Sequence, residues 1–133
     1  WRVRSHLREG LQHLTAALVN AGAMSDMHLR AEGLALAGEI SSLLGDHLSA
    51  KPLLEESTEL FEAAGDLQGT STAFSSLGHV MLHLGDPVQA QFLYEQCLVM
   101  RRKLDNPVMV ALSLSSLADL ALHTGDLERA EAL

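Results

Sequence analysis

His79 and His83 stand four positions apart, and Asp119 and His123 take the matching places one repeat further on. A spacing of four puts both members of each pair on one face of a helix. Two histidines and a carboxylate are a ligand set for zinc or iron, so His79, His83 and Asp119 define one candidate, a metal-dependent enzyme. The competing reading is that repeat register alone produces the spacing, since no acidic general base is fixed nearby. The four are then polar residues lining a groove, and the chain needs no cofactor. Cys97, the single cysteine, has no base paired with it in sequence and reads as a packed thiol, like Ser57 one unit earlier. Arg101-Arg102-Lys103 falls near the end of a helix, where cations oppose the dipole; a phosphate or partner contact is the alternative. Glu55, Glu56, Glu59 and Glu62 form a solvated outer face. No phosphate-cradling loop, nucleophile elbow or cysteine-rich metal motif occurs, so no residue is assigned to catalysis.

The elements that position these residues follow from a period. Gly-Asp stands at Gly45-Asp46, Gly85-Asp86 and Gly125-Asp126, and midway lie Asp26, Asp66 and Asn106. Merged, the two series place an Asp or Asn at every twentieth position. Both are favoured helix N-caps, because the side-chain oxygen accepts an orphan N–H of the first turn. Glycine before the cap suits the left-handed residue that ends the preceding helix. Pro87 and Pro107 follow their caps at the first helical position, where the missing N–H costs nothing. The chain is therefore expected to form helices of about 16–18 residues joined by very short turns, so that neighbours lie antiparallel. Small residues recur where helices approach closely (Gly38, Gly78, Ala118 and Ala50, Ala90, Ala130), with larger rows between them (Leu34, Phe74, Leu114 and Ile40, Val80, Leu120).

The expected fold is all-α, a right-handed α-α superhelix of antiparallel hairpins with about seven helices, the outer two incomplete. Residues 1–133 form one repeat domain, in units of roughly 1–30, 31–70, 71–110 and 111–133. Counting back one period from Gly45-Asp46 reaches Ser5-His6, so Trp1–Arg4 reads as the tail of one helix and Leu7 to Asn20 as its partner. Ala21–Ser25 then serves as a link. Trp at position 1 and the stop two turns into a helix at Leu133 read as the ends of a piece of a longer protein. Apolar content is 47% but aromatic content only 4%, which leaves the core to Leu, Ala and Met. The net charge of −8 opposes broad binding to nucleic acid or anionic membrane, which needs a basic stripe. One cysteine excludes an internal disulfide framework and fits the cytoplasm.

The order Phe74, Leu77-Gly78, Gly85-Asp86, Ala90, with Leu34, Gly38, Gly45-Asp46 and Ala50 one unit earlier, resembles the tetratricopeptide repeat. The usual unit of that family has about 34 residues. The unit here, the step from Gly45 to Gly85, is six longer, and the addition lengthens the second helix and its turn. The variant is similar to arrays in bacterial multidomain regulators, signal-transduction ATPases that include transcriptional activators of the LuxR and MalT type. The resemblance implies a non-catalytic module that binds a protein, a peptide or a neighbouring domain of the parent chain along a concave wall, and that serves as a sensor or scaffold arm. A stand-alone adaptor or a self-associating scaffold, homodimer included, is the alternative. First helices line the wall of such a stack, and the resemblance maps it here to Glu32, Ala35, Glu39, Ser42, then Thr72, Ser75, His79, Leu82, then Leu112, Ser115, Asp119, Leu122. His83 and His123 border it. The binding residues expected within it are Glu39, Ser75, His79, Leu82, His83, Ser115, Asp119, Leu122 and His123. This wall is polar and mildly acidic, suited to a peptide carrying Lys or Arg.

Overall fold

The four expected caps from Asp46 to Asn106 each close as a hydrogen bond. Asp46 Oδ1 accepts from Ser49 N at 3.1 Å, Asp66 Oδ1 from Gly69 N at 2.9 Å, Asp86 Oδ1 from Gln89 N at 3.1 Å and Asn106 Oδ1 from Met109 N at 3.2 Å. The residue before each cap is left-handed, with φ of 85° at Gly45, 70° at Gly65, 87° at Gly85 and 53° at Asp105. Its N–H, and that of the cap, bond back into the last turn: Gly85 N to Leu82 O at 3.1 Å and Asp86 N to Met81 O at 2.9 Å. This crossed pair satisfies carbonyls that a helix end leaves open. Each of these turns thus ends one helix and starts the next with the same two residues.

A computed structural model describes the backbone of residues 2–20 and 27–132 and the side chains of residues 3–14 and 27–125. It contains six helices: α1 (Arg2–Asn20), α2 (Met27–Leu43), α3 (His47–Ala64), α4 (Leu67–His83), α5 (Pro87–Lys103) and α6 (Pro107–Ala132). No strand occurs among the described residues. Consecutive helices pack in chain order, and the hairpins α2–α3 and α4–α5 pack most extensively. This is the all-helical repeat that the period implied.

Six helices are close to the roughly seven expected, but two expected turns do not form. α1 runs unbroken through Ser5-His6, because that pair offers no glycine to take a left-handed φ. α6 runs unbroken through Gly125-Asp126. The link at 21–25, the cap at Asp26, and the side chains of Ala130 and Leu133 lie outside the described residues.

The core sits between the hairpins. Ala50, Leu54, Leu77, Val80, Met81, Ala90, Leu93, Tyr94 and Leu120 form one buried cluster, and Ala31, Phe61 and Ala73 a second. Close approach explains the recurring glycines. A Cβ on Gly38 would lie 2.6 Å from Leu54 Cγ, and one on Gly78 2.8 Å from Tyr94 Cε1. Full burial of Leu54 contributes roughly 1.5–3 kcal/mol relative to exposure. The repeat also fixes a polar contact: Ser57 Oγ donates to Ala31 O at 2.8 Å, and one unit on Cys97 Sγ donates to Ser71 O at 3.1 Å.

α6 departs from this pattern. Its buried Ser113 and Leu120 face α5, while Leu112, Leu114 and Leu122 are about half exposed or more. Leu114, expected to extend the row of Leu34 and Phe74, is 46% exposed because no described helix covers that side. By length and composition, Pro107–Gly125 is also the one stretch among the described residues that is long and apolar enough to cross a membrane. Arg4 at the other end donates from Nη2 to Leu44 O at 2.8 Å, tying α1 to the last carbonyls of α2.

Candidate functional site

The first helices of successive units, α2 and α4, lie close together, with one stripe of each left open. Two recesses run along that line. The lower one, about 480 Å³, is lined from α2 by His28, Glu32, Ala35, Leu36 and Glu39, and from α4 and its cap by Asp66, Gln68, Gly69 and Thr72. The upper one, about 390 Å³, is lined by Glu39, Ser42 and Leu43 of α2, Ser75, Ser76 and His79 of α4, Tyr94 of α5 and Ser116 of α6. Glu39 belongs to both and joins them into one groove. No lysine or arginine lines either recess.

The polar geometry differs between the two. In the lower recess Asp66 is already engaged: Gly69 N–H caps it and His28 Nε2 lies 2.7 Å from its Oδ2. The backbone bond from Gly69, helped by His28, holds its carboxyl below the ordinary 3.8. His28 Nδ1 also comes within 3.4 Å of Glu32, and its ring meets Phe61 edge-on at 5.7 Å. In the upper recess Glu39 receives one long bond, from Ser76 Oγ at 3.3 Å. Its charge is otherwise open to the recess, among the hydroxyls of Ser42, Ser75 and Ser116.

Three imidazoles gather at the upper end. His79 and His83 are tilted against each other at 4.4 Å between centroids, and His83 stacks on His47 at 4.5 Å and 24°. His83 Nδ1 lies 3.0 Å from His79 O; a carbonyl only accepts, so Nδ1 carries the hydrogen. His47 Nδ1 lies 3.2 Å from Ser42 Oγ. Burial, then the two neighbouring rings, pushes His79 below its ordinary 6.5. Tyr94 is pushed up, by burial first, then by the charge of Asp119 and by Cys97.

The candidate ligand set of His79, His83 and Asp119 is not assembled. Asp119 lies exposed on α6, whose main packing partner is α5, and it does not line the recess that holds His79. Among the described residues no group of three or more His, Cys, Asp and Glu side chains is arranged to hold a metal ion.

Of the other expected wall residues, Glu39, Ser75 and His79 meet in the upper recess, and Glu32, Ala35 and Thr72 line the lower. Leu82 is half-buried against the core cluster. His83 touches His79 and His47 but lines neither recess. Ser115, Asp119, Leu122 and His123 are exposed on α6 outside both; α6 presents Ser116 instead, one residue out of register. Sequence reasoning missed Ser76, Ser116, Tyr94 and His47. Only His47 left a signal: it and His83 lie equally far from Gly65 along antiparallel helices, which brings them side by side.

A stack of antiparallel hairpins with a polar groove along its first helices is the architecture of an interaction scaffold. The tetratricopeptide repeat family model matches residues 29–103, more than half of the chain and the whole of the α3–α5 core. The chain belongs to the tetratricopeptide repeat family, whose repeats mediate protein–protein contact. No curated protein matches it.

Proposed function

We propose that this chain is a non-catalytic binding module whose α2–α4 groove takes an extended segment of a partner protein or of a neighbouring domain. The observation that carries this reading is the pair of adjoining recesses joined at Glu39, long enough together for several residues of extended chain and lined by side chains that offer hydrogen bonds. The test is a photo-crosslinking amino acid placed at Ser75 in the groove or at Glu55 on the exposed back of α3. Adducts from Ser75 that Glu39→Lys abolishes support the groove. Equal adducts from Glu55 remove it as the binding face.

The likeness of the lengthened units to those of bacterial multidomain regulators supports a setting as the sensor or scaffold arm of a signalling or transcriptional regulator. Binding would then bias an attached ATPase or DNA-binding domain. The unpaired Cys97, fully buried, fits the reducing cytoplasm. The half-exposed leucines of α6 favour a second reading, a self-associating scaffold in which α6 is covered by another copy. Light scattering on the eluting peak decides it: a dimer that Leu114→Lys with Leu122→Lys converts to monomer supports it, and a monomer at high concentration rejects it.

A further inference from the structure

The upper recess has a chemistry more specific than groove binding requires. It holds one carboxylate, four hydroxyl side chains, a histidine, a tyrosine and a leucine, and no cationic side chain. Glu39 is the only lining residue with a full charge at neutral pH, and its one bond, from Ser76, is long. A carboxylate partly withdrawn from water is stabilised by a cation or strong donors; partly buried Glu39 keeps most of its accepting capacity for what enters. Asp119, whose charge is felt by Tyr94 at the same recess, adds negative potential from the α6 side. Ser42, Ser75 and Ser116 can accept hydrogen bonds from a ligand, and Leu43, largely exposed, offers a surface for a methylene stem.

We propose that this recess is the specificity pocket of the groove, and that it receives the ammonium or guanidinium of a lysine or arginine in an extended segment of a partner protein. The proposal rests on the groove reading and names its ligand class. Glu39 supplies the counter-charge, the serines complete the donor–acceptor match, and Leu43 covers the stem. Basic residues in a partner also match the net charge of −8, which steers cationic segments towards the chain.

The same geometry regulates the pocket. His79 lines it and leans on His83, which stacks on His47. The ionisable groups around His79 are Glu39 on α2, His47 on α3, His83 on α4 and Tyr94 on α5, and from α6 the charge of Asp119 reaches Tyr94. At neutral pH His79 is neutral and acts as an acceptor. As the pH falls below 6.5 towards its lowered value, the ring gains a proton and a positive charge where the ligand's cation must sit. Ligand and proton therefore exclude one another, and affinity drops with acidification.

The experiment titrates the isotopically labelled full chain with three blocked nonapeptides, identical except for a central lysine, norleucine or glutamate, and follows backbone amide shifts. Three results together are expected. The lysine peptide moves Ser75, Ser76 and Ser116. Glu39→Gln and, separately, Ser116→Ala weaken it, the former about tenfold or more, with unchanged circular dichroism. Affinity falls from pH 7.5 to pH 5.5 in the parent but not in His79→Gln. If norleucine or glutamate peptides bind the same residues as tightly, the cation pocket is overturned while the groove survives. If the lysine peptide moves only residues outside the recess, or none, the pocket is overturned and the crosslinking comparison alone decides the groove. An unchanged affinity at pH 5.5 overturns the regulation by His79.

Discussion

Arg101 is the residue whose place is least expected from its chemistry. It takes the interior position that Phe61 holds one unit earlier and is 4% exposed, yet it carries a charge with no carboxylate partner among the described contacts. Nη1 donates to Ser113 Oγ at 2.7 Å and to Met109 O at 3.4 Å, and Nε is buried without a bond. Removing a poorly compensated buried charge is often neutral or stabilising, whereas removing its one good acceptor is costly. Arg101→Phe, the residue the repeat itself uses one unit earlier, should leave stability unchanged or raise it by about 1 kcal/mol or more. Ser113→Ala should lower it by about 1–3 kcal/mol. Urea unfolding of the two variants gives both numbers, and a large loss in Arg101→Phe would show that the guanidinium is better satisfied than its contacts indicate. Asp105 presents a smaller case: its φ of 53° is the conformation that Gly45, Gly65 and Gly85 adopt in the other turns. Asp105→Gly should raise the unfolding midpoint, worth about 0.5–1 kcal/mol, because glycine enters that region without a Cβ clash. Arg101 was not legible as an interior residue, since a basic run at a helix end has a sufficient explanation in the dipole. Only its alignment with Phe61 marks it.

At the level of helices, the caps were the legible part, and more was there than the three widely spaced Gly-Asp pairs showed. Gly65-Asp66 is a fourth, so consecutive turns share one device and the structural period is half the sequence period. What the period could not give was that Ser5-His6 and Gly125-Asp126 stay helical. Nor could it give rotation about a helix axis, which places Ser116 rather than Ser115 at the recess. The stacked ends of α3 and α4 carry a prediction in pH. His79 lies below its ordinary 6.5 because burial opposes its charge, so the unfolded chain binds that proton more readily than the folded one. Stability is then full above pH 6.5 and declines as the pH falls from 6.5 to the lowered value. Melting temperatures between pH 7.5 and 5 should show this decline, and His79→Gln should flatten it. A profile that His79→Gln leaves unaltered would place the titration elsewhere. Asp66 adds a separate acid limb, since its carboxylate is stabilised below 3.8: that contribution is present above 3.8 and is lost as the pH falls through the lowered value.

For the whole molecule, repeats that touch only their neighbours give a stability that is a sum along the stack. Among the described residues packing is most extensive within the α2–α3 and α4–α5 hairpins, and less so for α1 and α6. Hydrogen exchange should therefore find the slowest amides in α3, α4 and α5, with α1 and α6 opening first; uniform protection across all six helices would indicate one cooperative block. The class of fold was legible because period, caps and small-residue positions all agree on hairpins. The proposed groove was legible only in part, because its upper recess is lined from α5 and α6 as well as from α2 and α4. The buried thiol of Cys97 reaches Ser71 O just as the hydroxyl of Ser57 reaches Ala31 O, so the chain already contains a working serine at the matching position. Cys97→Ser is thereby a substitution with an internal precedent, and it yields a cysteine-free protein into which single thiols can be introduced, so that fluorophores placed on α1 and α6 report how the two ends of the stack move.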